Sequence, residues 1–172
     1  MSSGKNAGKF QMSDPKAQLD EIKKHKIKYN LGEEGFSFYQ IRDLKPVFAF
    51  DYLSLNETKL CFNSSDLTTK DFIGFLEGLK KNSSLTYNEL STNKYYRFHK
   101  INFDKDNVSI SRSDFKKTLT NKEELLSDDE LPTLYQFDLH YNQKSRACGF
   151  LFKGVFYLVW FDNNHIVYPG EK

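Results

Sequence analysis

The stretch that most constrains this chain is Arg146 to Phe161, RACGFLFKGVFYLVWF. Lys153-Gly154 interrupts two runs of strand-forming residues and supplies glycine where a tight hairpin needs positive φ, so the stretch reads as two antiparallel strands. The second, Val155 to Phe161, is apolar at both alternating sets of positions. Such a strand is either central and covered on each side, or it keeps one face for a partner. Just upstream, Thr133 to Tyr141 alternates Tyr135, Phe137 and Leu139 with Gln136, Asp138 and His140, and Asn142-Gln143 offers a turn into the hairpin. The expectation is a three-stranded antiparallel meander.

The turns also predict a register. With Lys153-Gly154 as the whole loop, Arg146, Cys148, Phe150 and Phe152 share a face with Val155, Tyr157, Val159 and Phe161. A turn at Asn142-Gln143 adds Tyr135, Phe137 and Leu139 to that face. It leaves Gln136, Asp138 and His140 on the other, beside Ala147 and Gly149, with Trp160 across from Ala147. A slip of one residue at either turn exchanges the faces.

Before the meander the pattern changes several times. Met1 to Ser13 is polar and reads as a disordered tail. Asp14-Pro15 opens a short basic helix to about Lys24. Between Ile27 and Phe62 the runs Phe36 to Phe38, Val47 to Leu53 and Leu60 to Phe62 read as further antiparallel strands, the last entered through a turn at Asn56-Glu57. Thr69 to Lys81 is the clearest helix: Phe72, Ile73, Phe75, Leu76 and Leu79 mark one buried face, Thr68 or Thr69 caps it, and Gly74 and Gly78 suggest a close backbone approach. Thr86 to Glu89 matches a capping box for a short helix. Tyr95 to Phe103 reads as an edge strand with Arg97 and His99 facing away from Tyr96 and Phe98. Ser113-Asp114 and Thr120 to Glu123 signal two more helices, ending near Leu119 and Leu126, ahead of an acidic segment from Ser127 to Glu130. The fold class is therefore α+β: a C-terminal antiparallel meander packed on helices, with an N-terminal strand-rich half. The expected organisation is a tail over 1–13 and one domain over 14–172, divisible at 130/131.

Composition narrows the function. A chain of 172 residues with 38% hydrophobic and 16% aromatic content can bury a sizeable core. A formal charge of +2 is too small to require a nucleic-acid partner. No apolar run is long enough to cross a bilayer and the N-terminus lacks a secretory pattern, which predicts a cytoplasmic protein without membrane association. Cys61 and Cys148 lie in apolar strand contexts and read as reduced core residues. Phosphate-loop, dinucleotide, nucleophile-elbow and zinc-protease motifs are absent, and His25, His99, His140 and His165 have no metal-ligand spacing, so neither a cofactor nor a metal is expected.

The remaining chemistry gathers around the meander in Gln136, Asp138, His140, Arg146, Asp162, His165 and Tyr168. Cleavage of RNA without a metal requires a base for the 2′-OH proton, an acid for the leaving oxygen and a cation for the phosphorane. His140 or His165, Tyr168 and Arg146 are of those types. The same residues also suit ordinary strand ends and turns. Arg97, His99 and Lys100, interleaved with aromatic residues, suit RNA or partner binding, or simply a solvated edge strand.

The ending Arg146-Ala-Cys-Gly149, then Val155 to Phe161, Asp162-Asn-Asn-His165 and Ile166-Val-Tyr168-Pro169, resembles the C-terminal sheet of RelE-like bacterial toxins. The resemblance covers about the last quarter of the chain. It implies a metal-independent nuclease acting on mRNA at the ribosome and held inactive by an antitoxin, with Arg146, His165 and Tyr168 as counterparts of family site residues. Unlike the shorter, more basic family members, this chain carries more than a hundred residues before the resembling part. The leading expectation is an RNA-directed nuclease of the RelE-like toxin or phage-defence kind. The alternative is a non-catalytic protein-interaction module of such a system, docking through Trp160, Phe156 and Leu158.

Overall fold

The computed structural model describes residues 41–55, 60, 62–120, 126–139 and 144–169. The expected N-terminal tail, the helix after Asp14, the strand at Phe36 to Phe38, the Asn56-Glu57 turn, Cys61, the helix after Thr120, and His140 lie outside the described residues.

The architecture is α+β. Five strands, β1 (Val47–Ala49), β2 (His99–Lys100), β3 (Leu134–Asp138), β4 (Arg146–Phe152) and β5 (Val155–Asp162), form one sheet in the order β1-β5-β4-β3-β2. Strands β3, β4 and β5 are the expected antiparallel meander, and β2 extends it as an antiparallel edge. β1 pairs with β5 in parallel, which corrects the antiparallel expectation, and it stops at Ala49 rather than Leu53. Leu60 and Phe62 fall in turns.

Both faces of the sheet are covered, which explains the two-faced apolar character of β5. On one face Leu134, Cys148, Phe150, Val159 and Trp160 meet Phe115 and Leu119 of a helix over Arg112–Thr120. On the other, Phe137, Ala147, Phe156, Leu158 and Phe161 meet Phe75 and Leu79 of the helix Thr69–Asn82 and Tyr87 and Leu90 of the helix Tyr87–Thr92. We number these helices α1 (Thr69–Asn82), α2 (Tyr87–Thr92) and α3 (Arg112–Thr120).

Local signals account for the helix starts. Thr68 with Asp71, and Thr86 with Glu89, close capping boxes at α1 and α2. Ser111 and Asp114 exchange the same pair of bonds, so α3 begins ahead of the expected Ser113 cap. The apolar stripe of α1 is narrower than its spacing suggests. Phe75 and Leu79 are buried, whereas Ile73 and Leu76 are more than half exposed. Gly78 lies so close to β3 that an added Cβ would stand 2.7 Å from Leu139 Cβ, the close approach expected for one of the two helix glycines.

The register departs from the sequence reading twice, and both departures shape the polar region. Leu134 pairs with Phe150, Gln136 with Cys148 and Asp138 with Arg146, and the ladder continues through a Leu139 N–H to Ser145 carbonyl bond of 3.2 Å. This register lies one residue from an Asn142-Gln143 turn, so Tyr135, Phe137 and Leu139 join the Ala147 face. Gln136 and Asp138 join Arg146. In the hairpin, Cys148 pairs with Trp160 but Gly149 with Leu158, leaving Val159 as the extra residue of a bulge. Trp160 thus faces α3 rather than lying across from Ala147, and Phe161 moves to the opposite face. The hairpin turn itself is as expected, with Lys153 and Gly154 both at positive φ, 50° and 81°.

Candidate functional site

The new register and the bulge align Asp138, Arg146 and Asp162 across three adjacent strands. All three are buried. Arg146 Nε lies 2.7 Å from Asp138 Oδ1, and Arg146 Nη1 donates to the Ser145 carbonyl at 3.1 Å. The more exposed Arg97 approaches the other oxygen of Asp138, Nε to Oδ2 being 3.9 Å. Burial pushes the Asp138 carboxyl up to about 6 against the pull of Arg146 and then Arg97, which leaves it ionised at neutral pH.

Asp162 does different work. Its two oxygens accept the backbone N–H groups of Ile166 and Val167, each at 2.7 Å, and so hold the turn that carries His165. Burial still raises its carboxyl above the ordinary value, opposed by these bonds and by Arg146. Asn163 completes the anchorage: its Oδ1 accepts from Ser145 Oγ at 2.7 Å and its Nδ2 donates to Asp71 Oδ1 at 3.1 Å, tying the turn to the start of α1.

Two histidines and a tyrosine gather beside the row. His99 Nδ1 lies 2.6 Å from the Arg97 carbonyl, which can only accept, so Nδ1 carries the proton; Nε2 then accepts from Gln136 Nε2 at 3.2 Å. The His99 ring meets Tyr168 edge to face, centroids 5.6 Å apart. Lys105 Nζ donates to the Tyr168 hydroxyl at 3.4 Å and lies 5.8 Å from its ring centroid. Burial holds His99 below the ordinary imidazole value against the opposing hydrogen bond to the Arg97 carbonyl, and the charges of Arg146, Lys105 and Arg97 add to burial. His165 is likewise held below its ordinary value, first by burial and then by the charges of Arg146, Arg97 and Lys144. Both rings are therefore neutral near pH 7.

Backbone strain concentrates here. Among the described residues three non-glycine residues have positive φ: Lys153 in the hairpin turn, Arg97 at 46° and His165 at 57°. Outside the hairpin, both left-handed residues thus belong to the histidine cluster. Such conformations cost on the order of 1–3 kcal/mol each and recur at functional sites. At Arg97 the conformation accompanies the carbonyl contact that fixes the His99 tautomer.

The structure thus brings Arg146, His165, Tyr168, Arg97, His99 and Gln136 into one region, with Lys100 exposed on the adjoining edge strand. Trp160 is 2% exposed and packs on Phe115, centroids 5.6 Å apart, while Phe156 and Leu158 are fully buried, so these three form core rather than an open docking face. The Asp138–Arg146 pairing and the contributions of Lys105 and Lys144 escaped the sequence reading. An Asp–Arg cross-strand pair follows from the correct register, whereas nothing in the sequence separation of Lys105 from Tyr168 signals their contact.

Among the described residues, no three His, Cys, Asp or Glu side chains come together so as to hold a metal ion, and no helix is long and apolar enough to cross a membrane. Comparisons of the chain with protein-family models, curated proteins and solved structures returned no match.

Proposed function

We propose that the chain is an RNA-directed nuclease of the RelE-like toxin or phage-defence kind, working by metal-independent acid–base catalysis. The observation that carries this reading is the meeting of two neutral histidines and a tyrosine with Arg97, Arg146, Lys105 and Lys144, where backbone strain also concentrates. Positive charge in excess of Asp138 and Asp162 favours a phosphodiester.

In this mechanism neutral His165 takes the 2′-OH proton, the 2′-oxygen attacks phosphorus, and the P–O5′ bond breaks. Tyr168 gives its proton to the departing 5′-oxygen, and the Lys105 ammonium stabilises the phenolate left behind. Arg97, whose side chain is 60% exposed, meets the phosphorane charge. Arg146 was the expected phosphate ligand. At 3% exposure and engaged by Asp138 it instead supplies a fixed positive charge that adds to burial, the larger effect, in holding His165 below the ordinary imidazole value.

The test is induced expression in bacteria of the wild type and of His165→Ala, following growth and mRNA integrity together. Growth arrest with mRNA cleavage in the wild type alone supports the nuclease. Intact mRNA in both strains, with folded protein present, overturns it. His165→Ala is preferred to an Arg146 variant because truncating Arg146 would strand Asp138 in the interior and confound catalysis with folding.

A further inference from the structure

The segment entering the histidine cluster, Lys94-Tyr95-Tyr96-Arg97-Phe98-His99-Lys100, contains no acidic residue. Its side chains sort by depth. Phe98 is 6% exposed and stacks on Tyr135, centroids 5.2 Å apart, and Tyr96 is half-buried beneath Lys81. Tyr95 is 44% exposed, with Lys94 Nζ 5.6 Å from its ring centroid. Arg97 and Lys100 are exposed as well, and His99 meets Tyr168 at the end of the run.

This anchoring is firm. Asp138 N–H donates to the Tyr96 carbonyl at 2.7 Å, Tyr95 N–H donates to Asn93 Oδ1 at 3.0 Å, and His99 and Lys100 pair with Gln136 and Tyr135 of β3. The exposed groups therefore sit on a backbone fixed by the core, where an aromatic face alternates with cations. Single-stranded nucleic acid asks for that combination, since bases stack on aromatic rings while cations follow the phosphates.

We infer that residues 94–100 form a binding track for single-stranded RNA, with Tyr95 stacking a base and Lys94, Arg97 and Lys100 meeting successive phosphates on the way to His165 and Tyr168. The inference deepens the nuclease reading and rests on it for the choice of RNA over another polyanion. Lys94, Tyr95 and Lys100 lie outside the groups assigned to catalysis, so binding and cleavage separate experimentally.

The experiment measures fluorescence anisotropy of a labelled 2′-O-methyl oligouridine, which cannot undergo 2′-OH attack, on the full chain across a salt series. Tyr95→Ala should weaken binding by about tenfold, from the usual worth of one base–aromatic stack. Lys94→Ala and Lys100→Ala should each lower the salt slope by roughly one phosphate contact. Lys153→Ala, at the β4–β5 turn, should leave both unchanged. The track is overturned if Tyr95→Ala binds within about twofold of the wild type, if neither track lysine alters the slope, or if polyglutamate competes as well as the oligonucleotide. Cleavage of unmodified RNA is followed in parallel: binding with the predicted variant effects but without cleavage sinks the nuclease reading alone, and cleavage unaffected by the track variants sinks the track alone.

Discussion

Gly149→Ala tests the feature that assembles the polar row. A Cβ at this position would lie 2.1 Å from the Tyr157 carbonyl oxygen and 2.6 Å from Phe156 Cε1. Phe156 is a side chain and can shift at some cost, but Tyr157 oxygen belongs to the backbone of β5, paired on both sides. Relief thus requires the hairpin to open at the bulge where Cys148 meets Trp160 and Gly149 meets Leu158. Overpacking a well-filled core costs about 1–3 kcal/mol, and a rigid backbone oxygen as the obstacle places this case at about 3 kcal/mol or above. For a chain of this size that lowers Tm by roughly 6–12 °C. Trp160, the single tryptophan, stands beside the bulge, so its fluorescence during urea or thermal unfolding reports the site directly. A Tm within about 1 °C of wild type would refute the bulge and, with it, the alignment of Asp162 with Arg146.

The site yields further outcomes. Because His165 is held below its ordinary value of 6.5, its base form persists into mild acid, so the acid limb of the kcat/KM profile should have its midpoint below 6.5; a midpoint at or above that value contradicts the assignment. Arg97→Gly should relieve the left-handed backbone, holding or raising stability by about 1 kcal/mol, while cutting cleavage at least tenfold; loss of stability together with unchanged cleavage would reverse both roles. Asp138 has a folded value near 6 against 3.8 unfolded, so the protonated group contributes stability that is present below 3.8 and lost as pH rises through 6. The stability of wild type relative to Asp138→Asn should therefore fall by about 2–3 kcal/mol between pH 4 and pH 7, and a rise over that interval in urea titrations would overturn the sign.

Elements with strong local signals were legible in the sequence, including the Lys153-Gly154 hairpin, the helix at Thr69 and the capping box at Thr86. Properties set by pairing between distant segments were not. Alternation alone could not fix which face Gln136 and Asp138 occupy, because one residue of slip inverts every side chain. The bulge at Val159 had no separate signal in a strand already apolar on both faces. β1 shows the same limit, since Val47 to Ala49 has strand character but carries nothing that chooses a parallel partner. The site was partly visible in Arg146, His165 and Tyr168, which lie near one another in sequence. Their convergence with Arg97, His99 and Lys105 depended on β2 pairing with β3 and on the Lys105 contact to Tyr168.

Analysis of the ends produced on RNA by the purified chain in excess EDTA tests the central claim most directly. Proton transfer by His165 and Tyr168 predicts cleavage that survives the chelator, leaves a 2′,3′-cyclic phosphate and a 5′-hydroxyl, and falls by about 10²–10⁴-fold in His165→Ala. Products ending in 5′-phosphate and 3′-hydroxyl, or equal cleavage by His165→Ala, would contradict it.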